Sequence, residues 1–151
     1  TVQSGMYTKV IHEMAPDVTV IEKACPLFVP LVEEGFKEHV VTREVIKYYL
    51  ESMRDTDIDA MILGCTHYPL LRSKIRDYLG EKIQIVNPAY ETAMDLKELL
   101  REQNMENGGA TLEHSRYAFY VSDAAEKFRM FANTVMPFDV PTTNVVNIEE
   151  Y

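Results

Sequence analysis

The sequence is poor in basic residues. Its 151 residues include 15 Lys plus Arg against 24 Asp plus Glu, which gives a net charge of −9 at pH 7. Proteins that coat nucleic acid or lie on anionic membranes need clustered positive charge to meet phosphates. The charge balance therefore excludes both classes of partner, although a small anionic substrate could still be held by local donors.

Long apolar runs are also missing. No segment approaches the roughly 18 to 20 apolar residues that a membrane-spanning helix needs, and the first ten residues lack the charged-then-apolar pattern of a signal peptide. A hydrophobic content of 46% with 26% charged residues is typical of a folded globular chain. We therefore expect a cytoplasmic protein.

Cysteine and glycine are scarce. The two cysteines, Cys25 and Cys65, are too few for a disulfide scaffold, and the cytosol would keep them reduced. The cysteines and the four scattered histidines form no CxxC or HxxxH pair, which argues against a zinc site. The six glycines stand singly apart from one Gly-Gly pair, so there is no glycine-rich phosphate loop. We expect no bound metal.

Strand-like and helix-like segments alternate along the chain. Apolar and β-branched runs predict strands at 17–24, 59–64, 83–86, 117–121 and 144–148. Helical periodicity predicts helices between them, with Ser4 and Thr42 as N-caps of the first and third. This alternation predicts an α/β fold in which helices flank a mostly parallel sheet. The polar segment 104–115 is predicted to be a linker or exposed loop.

The segment Leu63–Pro69 (LGCTHYP) carries the strongest chemical signal. An apolar strand runs into it and a helix follows, which places Cys65 at the carboxyl end of a strand, where open α/β sheets bind ligands. The dipole of the following helix would favour a thiolate, and His67 could assist proton transfer. Gly64 would allow a ligand to approach the backbone, and the N–H groups of Thr66 and His67 could bind a carboxylate.

Each of these residues also has a plainer interpretation. Cys65 could be a small core hydrophobe at the end of an apolar strand, and Cys25, with no His or acid close by in sequence, is predicted to be structural. The pair Glu33-Glu34 could be a solvated helix end, or one carboxylate could orient a nearby histidine. The residues alone leave these alternatives open.

Four segments carry a family resemblance: LGCTHYPLL at 63–71, ACPLFVPLVE at 24–33, TVQSGMY at 1–7 and YAFYVSDAAEKF at 117–128. The first is similar to the second cysteine motif of glutamate racemases, the cofactor-independent enzymes that make D-glutamate for peptidoglycan. The next two agree with that family in the same order, and the last is similar to its closing strand and helix. The resemblance spans nearly the whole chain and implies an aspartate/glutamate racemase-like fold.

The resemblance also implies that the chain is incomplete. The Asp-Ser motif and the first catalytic cysteine of the family, which lies in an Asn-Thr setting, do not occur in this sequence. By the family pattern, residues 1–88 are most of the central domain, and 89–151 complete the other domain. The chain is thus expected to be a C-terminal portion that is inactive alone and, with apolar surface exposed, self-associates as a homo-oligomer.

The family match also implies roles for individual residues. Cys65 would be one of two bases that exchange the α-proton of glutamate, with His67 assisting and Thr66 binding substrate. Glu33 would orient His67, and Thr1 would contact substrate. No cofactor is implied, and the opposite base would lie outside this chain. Two other classes stay open: a single-cysteine enzyme of the same superfamily, such as a decarboxylase-like protein, and a non-catalytic binding or assembly module.

Overall fold

The computed structural model describes residues 2–107 and 117–150. They form two compact units that divide between Thr92 and Ala93. The six helices of this part are α1 (Met6–Met14), α2 (Phe28–Glu33), α3 (Val40–Arg54), α4 (Arg72–Leu79), α5 (Pro88–Glu102) and α6 (Ala125–Val135). The strands are β1 (Ala60–Ile62), β2 (Gln84–Val86), β3 (Tyr120–Val121) and β4 (Asn144–Val145). Single 3-10 turns lie at Val2–Ser4, Phe36–Glu38, Tyr68–Leu71 and Ile148–Glu150.

Both sheets are parallel and two-stranded within the described residues. In the first unit β1 pairs with β2, with Met61 opposite Ile85, and α4 lies between the two strands in the chain. In the second unit β3 pairs with β4, with Val121 opposite Val145, and α6 connects them. Parallel strands need a crossover, and a helix supplies it in both cases. The predicted α/β class with a mostly parallel sheet is confirmed.

The first unit contains most of the buried apolar side chains. Helix α3 packs against α2 and α4, and it buries the face predicted from its periodicity, including Ile46, Tyr49 and Leu50. Thr42 is fully buried in the same helix, and its hydroxyl donates to the carbonyl of Phe36 at 2.6 Å. The first unit therefore has a helical core beside the short sheet.

Several local predictions were wrong. The run 17–24 forms no strand, because strand propensity needs a neighbouring strand to pair with and none of the described residues provides one there. Helix α1 begins after Gly5 in a left-handed conformation rather than at Ser4. Helix α3 is capped by His39, whose Nδ1 accepts from the N–H of Val41 at 3.2 Å, while the predicted cap Thr42 lies inside the helix.

Strand β1 is also less covered than an interior parallel strand. Ala60 and Ile62 are exposed and only Met61 is half-buried, because residues 60 and 62 share one face of the strand and the described residues leave that face uncovered. Helix α5 likewise buries none of its side chains in the described part of the chain, and Tyr90, Met94 and Leu96 are exposed. Much apolar surface is therefore open to solvent in this structure.

Candidate active site

Cys65 lies just after β1, as the sequence predicts. The N–H of Leu63 extends the β1–β2 ladder by donating to the carbonyl of Val86 at 3.0 Å, and the N–H of Cys65 then turns back to the carbonyl of Leu63 at 2.8 Å. The Cys65 side chain is partly exposed. This placement puts a thiol at the carboxyl edge of the first sheet, where solutes can reach it.

The chain after Cys65 differs from the predicted single helix. A bend is followed by the 3-10 turn Tyr68–Leu71, and the α-helix begins only at Arg72. A single 3-10 turn aligns few peptide dipoles, so the predicted helix-dipole effect on Cys65 has little basis in this geometry.

Three of the predicted site residues come together around one imidazole ring. His67 Nε2 lies 3.3 Å from Glu33 Oε1, and His67 Nδ1 lies 3.0 Å from Thr66 Oγ1. Side-chain exposure is 21% for His67 and 31% for Glu33, so both remain in contact with solvent. In a neutral ring that donates from Nε2 to the carboxylate, Nδ1 accepts from the Thr66 hydroxyl. The ring is thus oriented from both nitrogens.

Glu33 reaches His67 because α2 ends there. Glu33 is the last residue of α2, and Gly35 closes the turn with a φ of 77°, a left-handed conformation that favours glycine. The carboxylate is separated from His67 by more than thirty residues in sequence. Sequence reasoning could propose this pair only through the family resemblance, and the structure places the two side chains in contact.

Tyr68 is a functional candidate that sequence reasoning missed. Its hydroxyl donates to the carbonyl of Cys25 at 2.9 Å and accepts from the N–H of Cys25 at 3.3 Å. Its ring meets Phe28 edge to face at 5.2 Å. Burial raises the pKa of the Tyr68 hydroxyl, which therefore stays protonated and able to donate at neutral pH. No short motif marks such a pairing of a side chain with backbone.

Cys25 has the surroundings of a packing residue. It is only 3% exposed, and burial raises the pKa of its thiol to about 11. Its backbone N–H and carbonyl are both engaged by Tyr68. The structure therefore supports the structural interpretation of this cysteine.

The structure gives a packing reason for the absence of a side chain at Gly64. A Cβ atom at this position would lie 2.9 Å from the Tyr7 hydroxyl oxygen and 3.0 Å from its ring. The missing side chain accommodates the Tyr7 ring of α1, whereas we expected it to admit a ligand. Thr1, the weakest of the predicted substrate contacts, lies outside the described residues, as does most of the predicted loop 104–115.

Two general features of the described residues bear on the kind of site. No group of three His, Cys, Asp or Glu residues within 2–107 and 117–150 is arranged to hold a metal ion. None of the helices in these ranges is both long and apolar enough to cross a membrane.

The known proteins to which this chain is similar in sequence and in structure are glutamate racemases. No family model matches the chain. It is 38% identical over 133 residues to the glutamate racemase of Geobacter metallireducens, covering 88% of this chain and 48% of that protein. It is 39% identical over 150 residues to the glutamate racemase of Chlorobaculum parvum, covering 98% of this chain and 54% of that protein.

The fold agrees with the sequence comparison. The crystal structure of glutamate racemase from Francisella tularensis, in complex with D-glutamate, matches with a TM-score of 0.87 and 32% identity. That match covers 100% of this chain and 56% of the Francisella chain. The chain thus spans about half the length of the relatives it matches.

Proposed function

We propose that this chain, which is similar in sequence and fold to the C-terminal portion of glutamate racemases, supplies one half of the active site of such an enzyme. The observation that carries the proposal is the thiol of Cys65 at the sheet edge, followed in sequence by Thr66 and by His67 with its contact to Glu33. The complete enzyme would interconvert L- and D-glutamate without a cofactor.

The chemistry needs two acid/base groups on opposite faces of the substrate. The Cys65 thiolate would take the α-proton of one glutamate enantiomer, which breaks the Cα–H bond and leaves a carbanion. A protonated group on the other face would then deliver a proton to the same carbon and invert it. For the reverse direction, the Cys65 thiol returns its proton. The second group would come from a part of the enzyme outside this chain.

His67 and its neighbours would support the proton transfer. An imidazole two residues from the thiol in sequence can hold or pass a proton, and the Glu33 carboxylate, 3.3 Å from Nε2, would fix the orientation of the ring. The exposed Thr66 hydroxyl would bind the substrate carboxylate when His67 Nδ1 carries a proton and donates to Oγ1, because the hydroxyl proton is then free to be donated. We assign Cys65 and His67 to catalysis, Thr66 to substrate binding and Glu33 to support, and Thr1 stays a weaker candidate for a substrate contact.

The biological setting follows from the product. D-glutamate is a component of peptidoglycan, so the complete enzyme would serve cell-wall synthesis and cell shape in the cytoplasm.

The exposed apolar side chains of α5, among them Tyr90, Met94 and Leu99, would be covered in a larger assembly. We propose a homo-oligomer, and light scattering of the purified protein at several concentrations tests it: a mass that stays at that of one chain would contradict it.

The activity is tested by joining this chain to the N-terminal half of a relative. The N-terminal half of the Chlorobaculum parvum relative, fused before Thr1, would give an intact enzyme, and circular dichroism follows the conversion of D- to L-glutamate. We expect the fusion to racemise glutamate and the 151-residue chain alone to be inactive. Substantial racemisation by the isolated chain would refute the two-base assignment.

The assignment of the thiols is tested in the same fusion. Cys65→Ser should abolish racemisation, because serine cannot ionise near neutral pH, whereas Cys25→Ser should keep most of it. Equal loss from both substitutions would show that the thiols are misassigned. Loss of carbon dioxide from a malonate analogue, with no racemisation of glutamate, would instead favour a single-cysteine decarboxylase.

A further inference from the structure

Tyr68 and His67 are neighbours in sequence, but their side chains contact opposite ends of α2. Tyr68 meets Phe28, the first residue of α2, edge to face at 5.2 Å. His67 meets Glu33, the last residue of α2, with 3.3 Å between Nε2 and Oε1. The five-residue offset corresponds to about 7.5 Å along a helix axis. The two adjacent residues therefore attach the Cys65–Tyr68 segment to α2 at two separate points.

The Tyr68 hydroxyl also fixes the chain that leads into α2. It donates to the Cys25 carbonyl at 2.9 Å and accepts from the Cys25 N–H at 3.3 Å, so one oxygen engages both backbone groups of a buried residue. The Cys25 carbonyl is at the same time the acceptor for the N–H of Phe28 at 3.1 Å, which starts the first turn before α2. The phenol thereby sets where α2 begins relative to the Cys65–Tyr68 segment.

We propose that Tyr68 is a positioning residue, whose hydroxyl holds the start of α2 in the register that keeps Glu33 in contact with His67. The proposal rests on the function proposed above, because the Glu33–His67 contact is what Tyr68 would maintain. A short rigid connection matters here, since a displacement of about 1 Å at reacting groups can cost about a hundredfold in rate.

The structure offers a matched control. Tyr49 of α3 also packs edge to face on Phe28, with 5.4 Å between the ring centroids, and its hydroxyl accepts from the N–H of Leu27 at 3.4 Å. Tyr49→Phe and Tyr68→Phe thus remove the same atom, and each leaves one backbone N–H near the start of α2 without its phenol partner. Only Tyr68 belongs to the segment that contains Cys65 and His67.

The kinetic experiment uses the intact fusion enzyme. Tyr68→Phe should lower kcat by about tenfold to a hundredfold with KM changed less than about twofold, because the reacting groups shift while substrate binding is kept. Tyr49→Phe should leave kcat within about twofold. In a Glu33→Gln background, Tyr68→Phe should lower kcat by less than about threefold, because the contact that it maintains is already weakened. Equal losses from the two tyrosine variants, or a fully multiplicative loss with Glu33→Gln, would refute a positioning role.

A second experiment uses the 151-residue chain and does not depend on activity. Amide hydrogen exchange measured by NMR should become about tenfold faster or more at Cys25 and across Cys65–His67 in Tyr68→Phe, whereas Tyr49→Phe should accelerate Leu27 without affecting Cys65–His67. If exchange at Cys65–His67 is unchanged in Tyr68→Phe, the proposal is wrong even if the fusion is an active racemase. If the fusion shows no racemisation while exchange behaves as expected, the positioning role stands and the proposed function fails.

Discussion

The two cysteines should differ sharply in their reaction with iodoacetamide, because only one of them is accessible. Cys65 is partly exposed, whereas Cys25 is buried and its thiol has a pKa of about 11. At pH 8 the ionised fraction of Cys25 is then about one in a thousand, against about one quarter for an ordinary thiol with a pKa of about 8.5. A thiolate of higher pKa is intrinsically more nucleophilic, by about tenfold over this interval.

Together these two effects leave Cys25 about twentyfold slower than an ordinary thiol, before any protection by packing is counted. Timed alkylation of the folded chain, followed by peptide mass spectrometry, separates the two sites. We expect early label on Cys65 alone, and label on Cys25 only after urea is added. The variants Cys25→Ser and Cys65→Ser identify each signal. Equal labelling of the two thiols in the folded chain would refute the burial argument.

The same raised pKa predicts a loss of stability in alkaline solution. Cys25 keeps its proton up to about pH 11 in the folded chain, whereas an ordinary thiol has a pKa of about 8.5 to 9. The folded state therefore holds the proton more tightly, and this contribution is fully present below pH 9 and is lost as the pH rises from 9 to 11. Urea unfolding at pH 8 and pH 10.5 should show a larger alkaline loss for the wild type than for Cys25→Ala. Identical pH slopes would contradict the assignment.

Two further predictions concern packing in the first unit. Thr42→Val removes a fully buried hydroxyl that donates to the Phe36 carbonyl at 2.6 Å, and urea unfolding should show that the free energy of unfolding falls by about 1 kcal/mol. Thr56→Val removes a similar bond at an exposed position and should cost less. Equal losses from the two variants would contradict the role of burial. Gly64→Ala places a Cβ 2.9 Å from the Tyr7 hydroxyl and should lower the free energy of unfolding by about 1 kcal/mol or more. This loss should largely disappear in a Tyr7→Ala background. A loss that persists there would show that Tyr7 is not the cause.

The sequence predicts the helices better than the strands, for a physical reason. The apolar face of α3 is local information, because residues three and four apart share a helix face whatever surrounds it, and Ile46 and Leu50 are buried as expected. A strand is completed only by a partner. The run 17–24 has strong strand propensity but forms no strand, and β1 pairs with one strand among residues 2–107 and 117–150 and stays largely exposed.

The sequence predicts the part of the candidate site that lies within the single motif LGCTHYP. Cys65, Thr66 and His67 are adjacent in sequence, so their proximity needs no folding argument. The contact between Glu33 and His67 joins distant parts of the chain and was suggested by family resemblance alone. The sequence does not predict the hydrogen bonds between Tyr68 and Cys25. The Tyr68 hydroxyl bonds to the backbone of Cys25, and any residue type at position 25 would offer the same carbonyl.

The contrast between the two cysteines also constrains where the second base of the proposed reaction can be. Cys25 is the only other thiol in the sequence, yet it is 3% exposed, its pKa is raised to about 11, and its backbone is held by Tyr68. A thiol with these properties stays protonated at neutral pH and does not reach a substrate. If Cys65 is one of two cysteine bases, Cys25 of the same chain is therefore not the other. A Cys25→Ser fusion that racemises glutamate normally is the result that this reasoning requires.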